Sequence, residues 1–300
     1  MKKILVTGHR GLIGRHLVPL LINLGYEVIG LDISDNSGDI TRSEDICPAI
    51  SDVIGVVHLA AVSRVVWGEQ NPSLCWETNA VASLAILEQA SKLTRKPWVL
   101  FASSREVYGE PELLPVSEEA PVCPVNIYGR AKAKMEQYAF EARDTGLNTA
   151  IVRLANVYGC IEDHKDRVLP AFCRNAAEGR PLRVDGFDHL FDFTHVDDTV
   201  RGIARIVAVL EANERYLPPI HLLPGMGTTL LEAAKIAVDA ASSDSTIYAG
   251  PSRTYDVARF IGSPERAKRL LGWEATITPT EGICALVRAF KTNTSLIETV

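Results

Sequence analysis

No apolar run in this sequence approaches the ~18 residues that cross a bilayer, so a membrane-spanning chain is not expected. A C-x-x-C pair is absent as well. The six cysteines (Cys47, Cys75, Cys123, Cys160, Cys173, Cys284) lie scattered, which argues against a zinc knuckle or a disulfide framework and fits reduced thiols in a cytoplasmic protein. The seven histidines form neither H-x-x-x-H nor H-E-x-x-H, so no metal centre is expected, and His195 reads as a packing or hydrogen-bonding residue. Positive charge is the minority sign. With 31 Lys and Arg against 37 Asp and Glu, an extended nucleic-acid surface is not expected, although a local basic pocket is compatible with that balance. Internal repeats, low-complexity tracts and linkers are missing too. The opening MKKILVTG sets two lysines before an apolar segment too short for a secretory h-region, so an unprocessed soluble protein is expected.

What is present is an ordinary globular composition, 47% apolar and 23% charged, long enough for one large domain or two unequal ones. Short apolar runs at 3–8, 27–32, 55–60, 98–103 and 149–155 alternate with helical patterns at 12–25, 75–93 and 127–146. Apolar residues in the latter recur at i, i+3, i+4, i+7. That alternation predicts an α/β fold, a doubly wound parallel sheet with helices on both faces and ligands beyond the strands' carboxyl ends. After about residue 160 the rhythm loosens, and 168–179, 229–242 and the tail near 278–291 read as helices. Residues 1–160 are expected to form the dinucleotide-binding domain, with 190–215 returning to it. Residues 161–189 and 216–300 are expected to make a smaller lobe.

The first strand runs into Thr7-Gly8-His9-Arg10-Gly11-Leu12-Ile13-Gly14, a G-x-x-G-x-x-G turn that opens a helix. Glycines there let the backbone approach a pyrophosphate, which sits where unpaired N–H groups and the helix dipole favour anions. Eighteen residues beyond Gly14 the second strand ends at Asp32, whose carboxylate suits ribose hydroxyls and repels a 2′-phosphate, favouring NAD over NADP. Arg10 and Arg15 bear on that preference.

Tyr128 and Lys132, in YGRAK, stand four apart on one helix face. A free phenol titrates near 10, so as a base at neutral pH it needs positive charge beside it, here from Lys132 and an oxidised nicotinamide. Ser104, in SSREVYG at a strand's carboxyl end, is placed to hold the same substrate hydroxyl. Each motif alone has a plain alternative, a tight turn or a solvated lysine.

Together TGHRGLIG (7–14), Asp32, Gly38-Asp39-Ile40, HLAA (58–61), ETN (77–79), SSREVYG, YGRAK, RLANVYG (153–159), HVDD (195–198) and LGW (271–273) resemble the extended short-chain dehydrogenase/reductases. Within these, the resemblance is to the NAD-dependent epimerase/dehydratase family that modifies nucleotide sugars. It implies a Rossmann-type sheet with a smaller α/β C-terminal substrate lobe. Gly8, Gly11 and Gly14, with Arg10, Leu12 and Ile13, would hold the pyrophosphate part of NAD, Asp32 the ribose, and Asp39 and Ile40 the adenine side. Leu59, Ala60 and Ala61 would line the cofactor, with Thr78 near the nicotinamide half. Ser104, Tyr128 and Lys132 match the catalytic triad, and Asn156 a substrate-contacting asparagine. A homodimer through helices 75–93 and 127–146 is also implied.

Two features depart from the pattern. Glu106, two residues after Ser104, is the carboxylate that the dehydratases and decarboxylases of the family carry, but Arg105 stands where the 4,6-dehydratases usually have an acid. Phe191 occupies the place of an arginine that clamps the substrate diphosphate, while Arg253 matches the second clamp. The leading expectation is a C4 epimerase of a nucleotide sugar. Its rivals are a 4,6-dehydratase, a uronic acid decarboxylase and a catalytically idle NAD-binding module.

Overall fold

A computed structural model describes residues 1–251 and 257–297 of the chain. The strands are β1 (Lys2–Thr7), β2 (Tyr26–Leu31), β3 (Gly55–His58), β4 (Trp98–Ser104), β5 (Thr149–Leu154), β6 (Asn156–Tyr158), β7 (Leu182–Asp185), β8 (Leu190–His195), β9 (Ile220–Leu222), β10 (Gly227–Thr229) and β11 (Ile247–Gly250). Among the described residues six of them form one parallel sheet in the order β2-β1-β3-β4-β5-β9. Ile220–Leu222, which the sequence division sets in the lobe, is thus the outermost strand of the main sheet.

Successive strand residues point to opposite faces, and the cores record it. Ile4 and Val6 pack with Leu17 and Leu21 of α1 (Leu12–Asn23), whereas Leu5 packs with Ile46 and Ile50 of α2 (Ser43–Ile50) on the other face. β4 is buried along its whole length, as a central strand covered on both faces must be. The chain moves from β1 outward to β2 and then crosses to β3 on the far side of β1. Between the carboxyl ends of β1 and β3 a crevice opens, the usual ligand position in such sheets.

The pattern at 75–93 is a helix interrupted by a π-turn. After α3 (Val65–Gln70), α4 (Pro72–Trp76) leads into Glu77–Val81 with i→i+5 geometry, and α5 (Ala82–Lys92) follows. The buried Asn79 within that turn accepts from Val62 N (2.8 Å) and donates to Val62 O (3.0 Å), fixing the loop after β3. The pattern at 127–146 is α6 (Ile127–Glu141) followed by a 3₁₀ turn.

A second core lies among α7 (Val168–Ala177), α9 (Leu230–Ala241), α11 (Pro279–Ile297) and the β8 residues Phe191 and Phe193. Directly after β8, α8 (Val196–Glu211) returns to the main sheet beside α1, and α10 (Glu265–Leu271) packs on the same side. Among the described residues no helix is long and apolar enough to cross a membrane.

Candidate active site

The glycine turn closes too tightly for side chains. Gly8 has φ +70°, and a Cβ there would meet Ala60 N at 2.7 Å; one on Gly14 would lie 2.3 Å from Gly8 O and 2.5 Å from His9 Cα. At the start of α1 the N-cap Gly11 offers no side-chain bond, so the first N–H groups of the helix face the turn without a side-chain partner. This cradle fits the pyrophosphate of a dinucleotide.

Asp32, at the end of β2, accepts from Arg10 N (3.0 Å) and Ser34 N (2.9 Å), so its carboxylate is already oriented beside the turn. The Ser37 hydroxyl, and then Arg10 paired at 2.6 Å, hold the Asp35 carboxyl well below the usual range; Arg15 pairs with Glu162. Arg10 Nε and Arg15 Nη1 are thereby engaged by acids beside the turn. Asp39 spends one carboxylate oxygen on the turn into α2, accepting from Thr41 N (2.8 Å), and Ile40 is buried in the core. Leu59 and Ala61 wall the cleft, Ala60 packs on Gly8, and Thr78 sits half-buried in the π-turn rather than in the cleft wall.

The cleft, about 410 Å³, brings Ser104, Arg105, Glu106, Tyr128, Lys132 and Asn156 together. β4 delivers Ser104, and α6 delivers Tyr128 and Lys132 one turn apart, starting from the N-cap Asn126 whose Oδ1 accepts from Gly129 N (2.8 Å). Lys132 Nζ donates to Ala102 O (2.8 Å) and lies 6.0 Å from the Tyr128 ring centroid. Burial lowers the Lys132 pKa to about 8, against the raising effect of Cys75 and Glu136. Tyr128 faces the same cleft. Burial pushes its phenol up to about 12 and the Glu106 carboxylate adds to that, outweighing the hydrogen bond with Ser104 and the Arg167 charge. To act as a base at neutral pH the phenol needs further positive charge beside it, which an oxidised nicotinamide would supply.

Glu106 and Arg105 are both buried, at 5% and 8% exposure. Arg105 Nη2 meets Glu106 Oε1 at 2.9 Å, and Asn126 Nδ2 donates to Glu106 Oε2 at 2.7 Å, so each carboxylate oxygen has a donor. Arg105 Nε donates to Asn156 Oδ1 (2.8 Å), and its guanidinium lies 4.6 Å from the Phe191 ring centroid. Phe191 is buried against Phe193 and supplies no charge of its own. Arg253 lies outside the described residues.

Asn126 is the functional neighbour that sequence reasoning missed. An Asn just before a helical pattern is a legible N-cap, but nothing local reveals that its amide also reaches Glu106, twenty positions away. On the lobe side the cleft runs on into an open depression of about 850 Å³ whose rim carries Lys165, Arg174, Arg180 and Arg183. Among the described residues no cluster of His, Cys, Asp or Glu could hold a metal ion.

Comparison with known proteins agrees with this geometry. The model of the NAD dependent epimerase/dehydratase family matches residues 4–217. A putative UDP-glucose 4-epimerase of Methanocaldococcus jannaschii is 31% identical, over 97% of this chain and 99% of its own. UDP-glucuronic acid decarboxylase 1 of Danio rerio is 28% identical, over 96% of this chain and 72% of its own. The structure of the dTDP-glucose 4,6-dehydratase DesIV of Streptomyces venezuelae, solved with NAD bound, superposes with a TM-score of 0.88 at 27% identity, covering 98% of each chain. Three different reactions are thus equally near in overall likeness, and the local chemistry of the cleft has to choose among them.

Proposed function

The chain belongs to the NAD-dependent epimerase/dehydratase family, and from that premise we propose that it is an epimerase inverting C4 of a nucleotide-linked sugar through a transient 4-keto sugar. Gly8, Gly11 and Gly14 would cradle the NAD pyrophosphate, and Asp32 would take the ribose hydroxyls. NAD bound there supplies a place for the sugar's hydride to go and to come back from. Ser104 holds the sugar hydroxyl by its own hydroxyl, and Tyr128 takes the proton from the same oxygen. Lys132, held by Ala102 O, keeps a positive charge beside the phenol and stabilises the phenolate as the proton moves. Lys165 and Arg174 on the lobe side, where Arg180 and Arg183 are paired with Glu178 and Asp185, are suited to the nucleotide's phosphates.

One observation carries the choice of epimerisation: both oxygens of Glu106 are engaged. Abstracting the C5 proton, the step that leads to dehydration, would need that carboxylate free beside the sugar. Freeing it means taking it from its buried partner Arg105 and from Asn126. A 4-epimerase needs no base there.

The test incubates purified protein with UDP-, dTDP- and GDP-sugars and reads products by mass and by proton coupling at C4. A changed coupling at C4 with unchanged mass is expected; a product lighter by water would overturn the reading in favour of Glu106 as a base, and one lighter by carbon dioxide would overturn it in favour of a decarboxylase. A second copy of the chain is a further part of the proposal. Trp76, Val81 and Phe140 are exposed on the helices Pro72–Lys92 and Ile127–Glu141, giving an apolar face for a homodimer that light scattering would detect.

A further inference from the structure

Arg105 follows Ser104 directly and lines the same cleft, yet it is more than nine-tenths buried. Its guanidinium plane is fixed from three sides, by Asn156 Oδ1 on Nε, by Glu106 Oε1 on Nη2 and by the Phe191 ring beneath it. Nη1 is left over, buried and without an acceptor in the protein. A desolvated donor of this kind costs free energy until an oxygen reaches it, and a guanidinium cannot escape by giving up its proton. The other arginines of the cleft, Arg64, Arg167 and Arg183, are paired with Asp166, Asp163 and Asp185, and none has an orphaned nitrogen among the described residues.

We infer that Arg105 is a specificity residue that receives a carboxylate on the sugar through Nη1, so that the substrate is a nucleotide-linked uronic acid in preference to the neutral hexose. The inference rests on the reading above only in that a nucleotide sugar fills the cleft. The orphaned Nη1 belongs to a permanent cation, which selects a carboxylate over a hydroxyl. Charge-assisted N–H···O⁻ bonds are also the stronger kind. The position favours the sugar over the diphosphate as the source of the anion: Arg105 is held by Asn156 and Glu106 beside Ser104, at the reacting end. Phe191, in place of the clamp arginine, serves as an aromatic face over which that guanidinium sits, 4.6 Å from the ring centroid.

The experiment titrates the NAD-loaded protein calorimetrically with UDP-glucuronic acid, UDP-glucose and UDP, with the dTDP and GDP counterparts in parallel, and repeats the series on Arg105→Met. In the unmodified protein the uronate should bind at least about tenfold more tightly than the hexose carrying the same nucleotide. Arg105→Met should close most of that gap while changing the affinity for the nucleoside diphosphate little. A hexose bound as tightly as its uronate, or no sugar nucleotide bound at all, overturns the inference without recourse to the variant. A variant that weakens the nucleoside diphosphate as much as the uronate assigns Nη1 to the phosphates and overturns it as well. Product analysis keeps the two proposals apart, since a preferred uronate that loses carbon dioxide would end the epimerase reading and leave the role of Arg105 standing.

Discussion

The Lys132 ammonium donates to the Ala102 carbonyl across 2.8 Å, tying α6 to the stretch of β4 that ends at Ser104. One bond between two elements thereby helps to fix the spacing of the Ser104 and Tyr128 hydroxyls. It also holds a charge where burial disfavours it, as the lowering of Lys132 to about 8 records.

Replacing Lys132 by Met removes both the charge and the cost of burying it. Turnover should fall about 100-fold or more, while Tm at pH 7 should stay level or rise. The sign follows from linkage: between about 8 and 10.5 the unfolded lysine holds a proton that the folded one has lost, so stability rises with pH across that window. Across thermal melts from pH 7 to 10.5 the unmodified protein should gain Tm relative to Lys132→Met.

Tyr128→Phe keeps the ring and removes the proton acceptor. Turnover should fall by roughly a factor of 1,000 with NAD affinity retained, read by steady-state rates and by NAD titration on one preparation. Undiminished turnover would restore the idle-module alternative.

Gly14→Ala places a methyl 2.3 Å from Gly8 O and 2.5 Å from His9 Cα, both backbone atoms that cannot swing away. NAD affinity should drop at least about tenfold, because the pyrophosphate cradle must open to admit the methyl. Gly11→Ala, whose Cβ meets only Gly8 O at 3.3 Å, should be milder in the same titration.

Asp32→Ser keeps a hydroxyl able to cap the following turn and removes the negative charge. The ratio of NADP to NAD affinity should rise at least about tenfold, measured by fluorescence titration of both reduced cofactors. An unchanged ratio would mean that the carboxylate does not face the ribose.

Asp192 lies fully buried on β8, where its carboxylate accepts from Gly225 N (3.1 Å) and Gly262 N (3.2 Å) and leaves Oδ1 without a partner. Burial pushes its pKa up to about 7 despite those bonds. Between the ordinary carboxylate range and about 7 the folded state holds a proton that the unfolded one lacks, so this contribution to stability is present at low pH and lost as pH rises through 7. Against Asp192→Asn, the unmodified protein should lose Tm relative to the variant as pH is raised from 5 to 8. Parallel melting curves across that range would refute it.

Much of this was legible in the chain itself. The strand ending at Asp32 and the turn from Gly8 to Gly14 are local matters of periodicity and backbone freedom, and they stand where sequence spacing puts them. Ser104, Tyr128 and Lys132 also converge as expected, since a strand end and one helix face suffice to aim them at the cleft. Thr78 and Ile40 were less legible, because a π-turn and core packing decide which way those residues point.

Pattern and composition by themselves determined the doubly wound sheet, the position of the glycine cradle and the identity of the hydroxyl-bearing residues, because each follows from interactions among near neighbours in the chain. Only the tertiary structure decided what surrounds them. It pairs Arg105 with Glu106 and Asn156, places the guanidinium over Phe191, and lets desolvation outweigh the Ser104 hydrogen bond at the Tyr128 phenol. Hydrogen-bond choice and burial depend on groups as far apart as Arg105 and Phe191, and no local pattern encodes which donor such a packed cleft leaves unmatched.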